Sequence, residues 1–363
     1  KYTFWLNRFF LGILFLMSLG QKALPSEAHT SIQHQRKQST PTVSTKASPA
    51  LHQMKPLSQN KLSNIGEWSQ MNSGTTESLI DVHGSSASDV SAVGTNGTIL
   101  HYDGNEWTQM TSGVTETLTS VWHDSENDAF AVGFNGTILH YDGNEWTQMT
   151  SGMTDTLRGI WGSNGNDVFA VGGDGIILNY DGNEWHQMSS GTNEALIDVW
   201  GSNGNDIFSV GTNGTILHYG GNEWAAMSGG ETNHLMDVGG SSGDNVYATS
   251  DIWGTGNLLH YDGSDWNSVS GVHGESLGGI WANSSNNVFV VGWEFEGAGG
   301  DLQQVGLINH YDGNVWSSTT TNITGYLGGV WGTGLGEVFA VGNGGIILYY
   351  ADEEQIHSIS GLV

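Results

Sequence analysis

Cysteine is absent from all 363 residues. That excludes disulfides, thiolate metal centres and cysteine nucleophiles. Cations are nearly absent from most of the chain as well. Eight of the nine Lys and Arg residues precede Asn64, whereas 36 of the 37 Asp and Glu residues follow it. The long C-terminal part therefore carries one cation, Arg158, against a dense negative charge. Such a surface repels phosphate backbones and anionic lipid headgroups, which are held mainly by Lys and Arg, so nucleic acid and anionic membrane surfaces are excluded as partners.

A full-length apolar span is missing too. The run Phe9 to Gly20 follows Lys1 and Arg8, but it is shorter than the roughly 20 residues that cross a bilayer. With the small residues Ser26 and Ala28 beyond it, it reads as an export signal over residues 1–28, cleaved in the mature protein; an uncleaved membrane anchor is the alternative. Residues 29–61 are rich in Ser, Thr, Gln, Pro and Lys and poor in large apolar side chains. A segment of that composition buries too little surface to offset its ordering entropy and is expected to be a flexible linker. The expected location is the periplasm, the cell surface or the medium.

What the chain has in abundance is repetition. The eighteen residues from Asn96 to Gly113 recur unchanged from Asn135 to Gly152. Aligned on its first apolar residue, the unit begins at Leu79, Leu118, Leu157, Leu196, Leu235, Leu277 and Leu327, with spacings of 39 four times, then 42 and 50. Each unit holds four short runs of β-branched and aromatic residues separated by Gly, Asn and Asp clusters, the pattern of four strands joined by tight turns. We name these strands A to D. Units of about 40 residues with four strands indicate blades of a β-propeller. Strand A is apolar on both faces, as befits a strand sandwiched between blades. Neighbouring blades face the same packing problem, which accounts for the verbatim repeat.

The count also fixes the closure. Strand D carries a Trp seven times, but the first, Trp68, precedes every A strand, and the unit begun at Leu327 has none of its own. Glu67 to Met71 is therefore expected to supply the outer strand of the last blade. The expected fold is all-β: a seven-bladed β-propeller over residues 62–363, its ring closed by an N-terminal outer strand.

At "VWGSNGNDIFSVG" and "ILHYDGNEW" the unit resembles repeats of secreted bacterial propeller proteins, and "VFAVGGDGIILNYDGNEW" is similar to Kelch units. A more distant resemblance is to propellers related to photosystem II stability and assembly factors. The chain departs from WD40 units in lacking a Trp-Asp pair at the end of strand C, and from the sialidase Asp-box in its Asp-to-Trp spacing. The resemblance implies the fold; propellers host lectins, enzymes and scaffolds alike.

His101, His140, His218, His260 and His310 occupy one position of strand C. Equivalent positions on separate blades are too far apart to share an ion, so structural hydrogen bonds are expected. Asp89, Asp128, Asp167 and Asp206 and the Asp103, Asp142 and Asp181 turns bring acid to one end of the ring, where Asx-turns and solubility explain most of it. No cofactor is expected, with weak calcium uptake at these turns as the alternative. Arg158 is expected to form a structural ion pair. The irregular B–C connections are those of blade five, Ser250 to Asn257, and blade six, Trp293 to Gly306. They are expected to project from the opposite end as loops that gather Trp253, Trp293 and Phe295 beside Asp251, Glu294, Glu296 and Asp301. Insertions on one face of a repeat protein often mark its binding face.

These features point to an exported, non-catalytic binding or interaction module with a protein or polysaccharide partner. A polysaccharide-binding protein using the blade five and six loops is the second reading. The third, a glycoside-active enzyme, needs a carboxylate pair such as Glu294 and Glu296.

Overall fold

A computed structural model describes residues 67–230, 233–251, 256–297 and 302–351. The chain divides into two units, Lys1–Lys55 and Pro56–Val363, and every described residue belongs to the second. The expected signal and linker lie outside the described residues, as do Trp253 and Asp301.

The second unit is a ring of seven four-stranded antiparallel sheets. In blade four the strands are Leu196–Asn203 (A), Asp206–Gly211 (B), Ile216–Tyr219 (C) and Trp224–Met227 (D). Each A strand packs against the A strands of both neighbours, blade seven against blade one included. Ser69–Met71 joins Ile346–Ala351 as the outer strand of blade seven, with Ser69 opposite Tyr349 and Met71 opposite Ile347. The two ends of the repeat region thus meet in one sheet.

The short B–C connections are tight turns of the I′ kind. Asn96 and Gly97 both have positive φ, 55° and 64°, and Thr98 N–H donates to Thr95 O at 3.1 Å. Asn tolerates this region better than other residues, and Gly adopts it freely. Gly97 also has no room for a side chain, since a Cβ there would lie 2.1 Å from Val114 O.

Aromatic packing joins the blades. Trp224 and Tyr219 of blade four lie 5.3 Å apart with tilted rings and pack on Phe169 of blade three at 6.4 and 6.0 Å. Trp266 and Tyr261 of blade five lie on Phe208 of blade four in the same way, as Trp68 and Tyr350 of blade seven lie on Phe289 of blade six. Phe208 and Phe289 are almost wholly buried.

Nearer the axis, a Trp of one A strand covers a Gly of the next. A Cβ at Gly162, Gly201, Gly240, Gly332 or Gly84 would meet the indole of Trp122, Trp161, Trp200, Trp281 or Trp331 at 3.0 Å or less. The junction between blades one and two uses a different pair. His83 stands in the Trp place and His123 in the Gly place, their rings 6.2 Å apart, with His123 N–H donating to His83 Nδ1 at 3.1 Å.

Candidate functional site

The strand C histidines serve their own blades. Nε2 of His101, His140 and His218 lies 2.9, 2.7 and 2.7 Å from Asp89, Asp128 and Asp206, the first residues of the adjacent B strands. In blades five and six, Asn245 and Asn287 take the Asp place. Three of the imidazoles stack on the B-strand aromatic, His140 on Phe130 at 4.5 Å, His260 on Tyr247 at 4.4 Å and His310 on Phe289 at 4.1 Å. Ser163 and Ser202 complete the network by donating to Asp167 and Asp206 at 2.6 Å. The arrangement ties the A–B turn to strands B and C, as the structural reading of these histidines expects. Asp89 is the most heavily engaged of the set. Burial raises its pKa, but hydrogen bonds from His101, His123 and Ser85 outweigh that and hold the carboxyl well below its usual range.

The C–D turns are Asx-turns. Asp103 Oδ1 accepts from Asn105 and Glu106 N–H at 2.8 and 3.0 Å, and Asp142, Asp181, Asp262 and Asp312 repeat the geometry. Among the described residues no three His, Asp or Glu side chains converge as a metal-ion site. Arg158 lies on strand A of blade three, where burial lowers its guanidinium to about 10.

Along the axis runs a feature the sequence reading missed. A cavity of about 180 Å3 is lined by A strands alone, among them Asp81, Asp198, Asp237, Trp161, Trp200 and Trp281. The three carboxyls lie deep in the ring yet face this channel. Each clamps the following blade: Asp81 accepts from Ser120 Oγ and Val121 N–H at 2.8 and 2.9 Å, Asp198 from Val238 N–H at 3.1 Å, and Asp237 from Ile280 N–H at 2.8 Å. Burial pushes Asp81 up to about 6, against the lowering effect of those hydrogen bonds. Burial also raises Asp198 and Asp237, and a hydrogen bond links the two carboxyls. A carboxyl pair sharing a proton is chemistry used by acid–base sites. Here each carboxyl is already occupied by backbone amides of the next blade, and its work is to hold blades together. The sequence shows the odd Asp inside each apolar "LIDV" or "LMDV" strand, but nothing local shows that it reaches the next blade.

On the opposite end from the acidic turns, blade six departs from the expectation of a loop. Its B and C strands run on as Asn287–Glu296 and Gln303–Tyr311, and Glu296 still faces Gln303 in register. The alternation Trp-Glu-Phe-Glu carries the strand outward, because successive side chains point to opposite faces. Trp293 and Phe295 therefore share one face, with ring centroids 5.1 Å apart and edge to face, while Glu294 and Glu296 share the other. The expected mingling of aromatics and carboxylates on one surface is not what this hairpin builds. Asp251 is close to it: Ser276 donates to Asp251, and Ser276 is the cross-strand partner of Trp293. Burial raises the Asp251 pKa, with Ser276 and His234 acting against it.

Among the described residues four large apolar side chains are exposed, and three of them belong to blade six. Phe295 and Leu302 are 49% and 55% exposed at the hairpin tip, and Val315 is 61% exposed at the other end of the blade. The fourth, Leu335, lies in blade seven. Outer strand D of blade six also differs. It spans Trp316–Thr324, nine residues, where blades one to five have four and blade seven has three.

No protein-family model and no curated protein sequence matches the chain. Solved structures do. YCF48 from Cyanidioschyzon merolae is similar with a TM-score of 0.60 at 15% identity, over 79% of this chain and 99% of that one. A structure of YCF48 bound to D1 peptide gives 0.60 at 16% identity, over 79% and 97%. The WD40 propeller domain of Doa1 gives 0.65 at 13% identity, also over 79% and 97%. At these identities the likeness establishes the shared β-propeller fold.

Proposed function

We propose that this chain is an exported, non-catalytic interaction module that binds a segment of a partner protein on the rim of blades five and six. The observation that carries the reading is the broken symmetry of that rim. Six blades end their B–C connections within the repeat's own dimensions or close to them, whereas blade six extends a hairpin that presents Phe295 and Leu302 to solvent. Exposed apolar side chains gathered in one place are the usual mark of a protein-binding surface. A propeller of similar fold, YCF48, has been solved with a peptide bound, which supports a peptide-like partner. Export rests on the N-terminal sequence.

The test is a screen of the full chain against displayed peptides, followed by Phe295→Ser and Leu302→Ser. Binding that both substitutions weaken by about tenfold or more supports the reading, since an apolar anchor at the centre of an interface is commonly worth more than ~1 kcal/mol. Peptide binding that neither substitution changes would move the site off this rim. Retention on insoluble polysaccharides, lost in Trp293→Ala, would replace it with glycan binding. Turnover of a glycan, lost in Glu294→Gln or Glu296→Gln, would replace it with the glycoside-active reading.

A further inference from the structure

Six of the seven junctions between blades fill the same place beside the axis, five with an indole against a glycine and one with His83 against His123. The seventh, between blades five and six, has neither pair. Strand A of blade five, His234–Ser242, carries Gly239 at the position where the other six A strands carry Trp or His, and Ala282 stands in the glycine place of blade six. By the symmetry of the ring, this junction lacks one aromatic side chain. The axial cavity of about 180 Å3 extends to it: Gly239, Gly240 and Ala282 belong to its lining together with Trp200 and Trp281. Trp200 stands at the edge of the gap, its indole 2.9 Å from where a Cβ of Gly240 would lie.

The same lining is electrically one-sided. It contains Asp81, Asp198 and Asp237 and no Lys or Arg. The amides and hydroxyl that these carboxyls accept from stabilise negative charge as dipoles but do not cancel it. A hydrogen bond between the Asp198 and Asp237 carboxyls requires a proton, so the pair offers one negative charge, which suits a single ammonium better than a divalent ion. Indole faces attract cations too. The three carboxyls and Trp161, Trp200 and Trp281 are only partly buried, so the channel is reached by solvent. Asp237 to Gly240 pair with Thr249 to Val246 in unbroken register. Asp237 and Gly239 therefore lie on one face of the strand, about 7 Å apart along it.

We propose that the axial channel binds a small aromatic amine, its ring seated at Gly239 and Ala282 beside Trp200 and its ammonium on Asp237 and Asp198. A ring and an ammonium joined by two carbons cover the distance from the gap to the carboxyl. The site shares no residue with the Phe295 hairpin, so the two proposals fail separately.

The experiment is isothermal titration calorimetry of the full chain with 2-phenylethylammonium. Butylammonium supplies the charge without the ring, and 3-phenylpropionate supplies the ring with the opposite charge. The aromatic amine is expected to bind one per chain with a Kd of about 1 mM or tighter, and the other two at least about tenfold more weakly. Gly239→Trp/Ala282→Gly gives this junction the pair that five others use, and is expected to keep the melting temperature while weakening binding about tenfold or more. Asp237→Asn retains a carbonyl oxygen to accept from Ile280 N–H and is expected to weaken binding by a similar factor. The ligand series and Asp237→Asn decide the matter should the filled junction fail to fold. No binding of 2-phenylethylammonium at about 10 mM, equal binding of butylammonium or 3-phenylpropionate, or binding that the variants leave unchanged would overturn the proposal.

Discussion

The junction between blades one and two allows the packing logic of the whole ring to be tested. Five other junctions place an indole against a glycine, with the absent Cβ spaces filled to within 2.7–3.0 Å of where that atom would lie. At this junction both partners have changed together, to His83 and His123. His83→Trp alone would drive an indole onto the Cβ and ring of His123. Overpacking of this kind costs ~1–3 kcal/mol. His123→Gly alone leaves a void at a buried site and removes the imidazole whose Nδ1 lies 3.2 Å from Asp89, a loss of ~2–4 kcal/mol. The double variant recreates the pair used elsewhere, and Asp89 keeps His101 and Ser85. A favourable coupling of at least ~1 kcal/mol is therefore expected between the two sites, which corresponds to roughly 2–4 °C or more in melting temperature for a domain of this order of size. Thermal unfolding followed by circular dichroism on the four proteins of the cycle provides the measurement. Additive effects within ~0.5 kcal/mol would refute the idea that these positions solve one packing problem jointly. His83 itself brings no charge into the comparison near neutrality. Burial, then the neighbouring His123, lowers His83 to about 3, so its ring is neutral throughout.

Three further outcomes follow from the same contacts. Asp81 is raised in the folded ring to about 6 from 3.8, so its contribution to stability is complete below about pH 4 and is lost as pH rises through 6; Asp81→Asn should remove up to ~3 kcal/mol of that slope, as read from urea midpoints between pH 4 and 7, and an unchanged slope would show that this carboxyl titrates normally. Asp89, held low, works in the opposite sense but only below the ordinary carboxylate range. Phe208→Ala should cost ~3–5 kcal/mol, because it empties the space against which Trp266 and Tyr261 of the next blade pack; a loss under ~1 kcal/mol would mean that the blades adhere by other contacts. Gly211→Ala should destabilise by more than ~2 kcal/mol, since its Cβ would lie 2.1 Å from Ala195 O, whereas Gly220→Ala meets nothing within 4 Å and should be neutral in the same melting assay.

The fold was legible because a propeller repeats one local solution. Period, turn residues and the displaced Trp68 sufficed to place seven blades and the closing strand. The partners of the strand C histidines were half legible: Asp89, Asp128 and Asp206 each precede their His by twelve residues, yet that spacing acquires meaning only once strands B and C are known to pair. The axial clamps were not legible. Asp81, Asp198 and Asp237 bind amides of the next blade, about 40 residues away, and no local pattern announces a contact between repeats. The blade six hairpin was misread as a loop because its Gly-rich centre drew attention away from the alternation of Trp293 to Glu296, which is a strand signal on its own.

Blade six poses the sharper question of whether its departures are drift or design. Relaxed constraint acts on a blade as a whole and would erode core positions along with surface ones. Yet Val288, Phe289, Val291 and Ile308 remain buried to 2% exposure or less, and Phe289 still receives Trp68 and Tyr350 from blade seven. The changes fall where solvent would otherwise be met: an extended hairpin tip, a lengthened outer edge and a valine in place of a turn carboxylate. The first exposes Phe295 and Leu302 and the last removes a charge, in a chain whose other outer strands all keep their acid. Random surface change has no reason to gather three separate departures on one blade while sparing its core. Selection for contact with another molecule does, and that is the ground on which the irregular blade is proposed as the binding one.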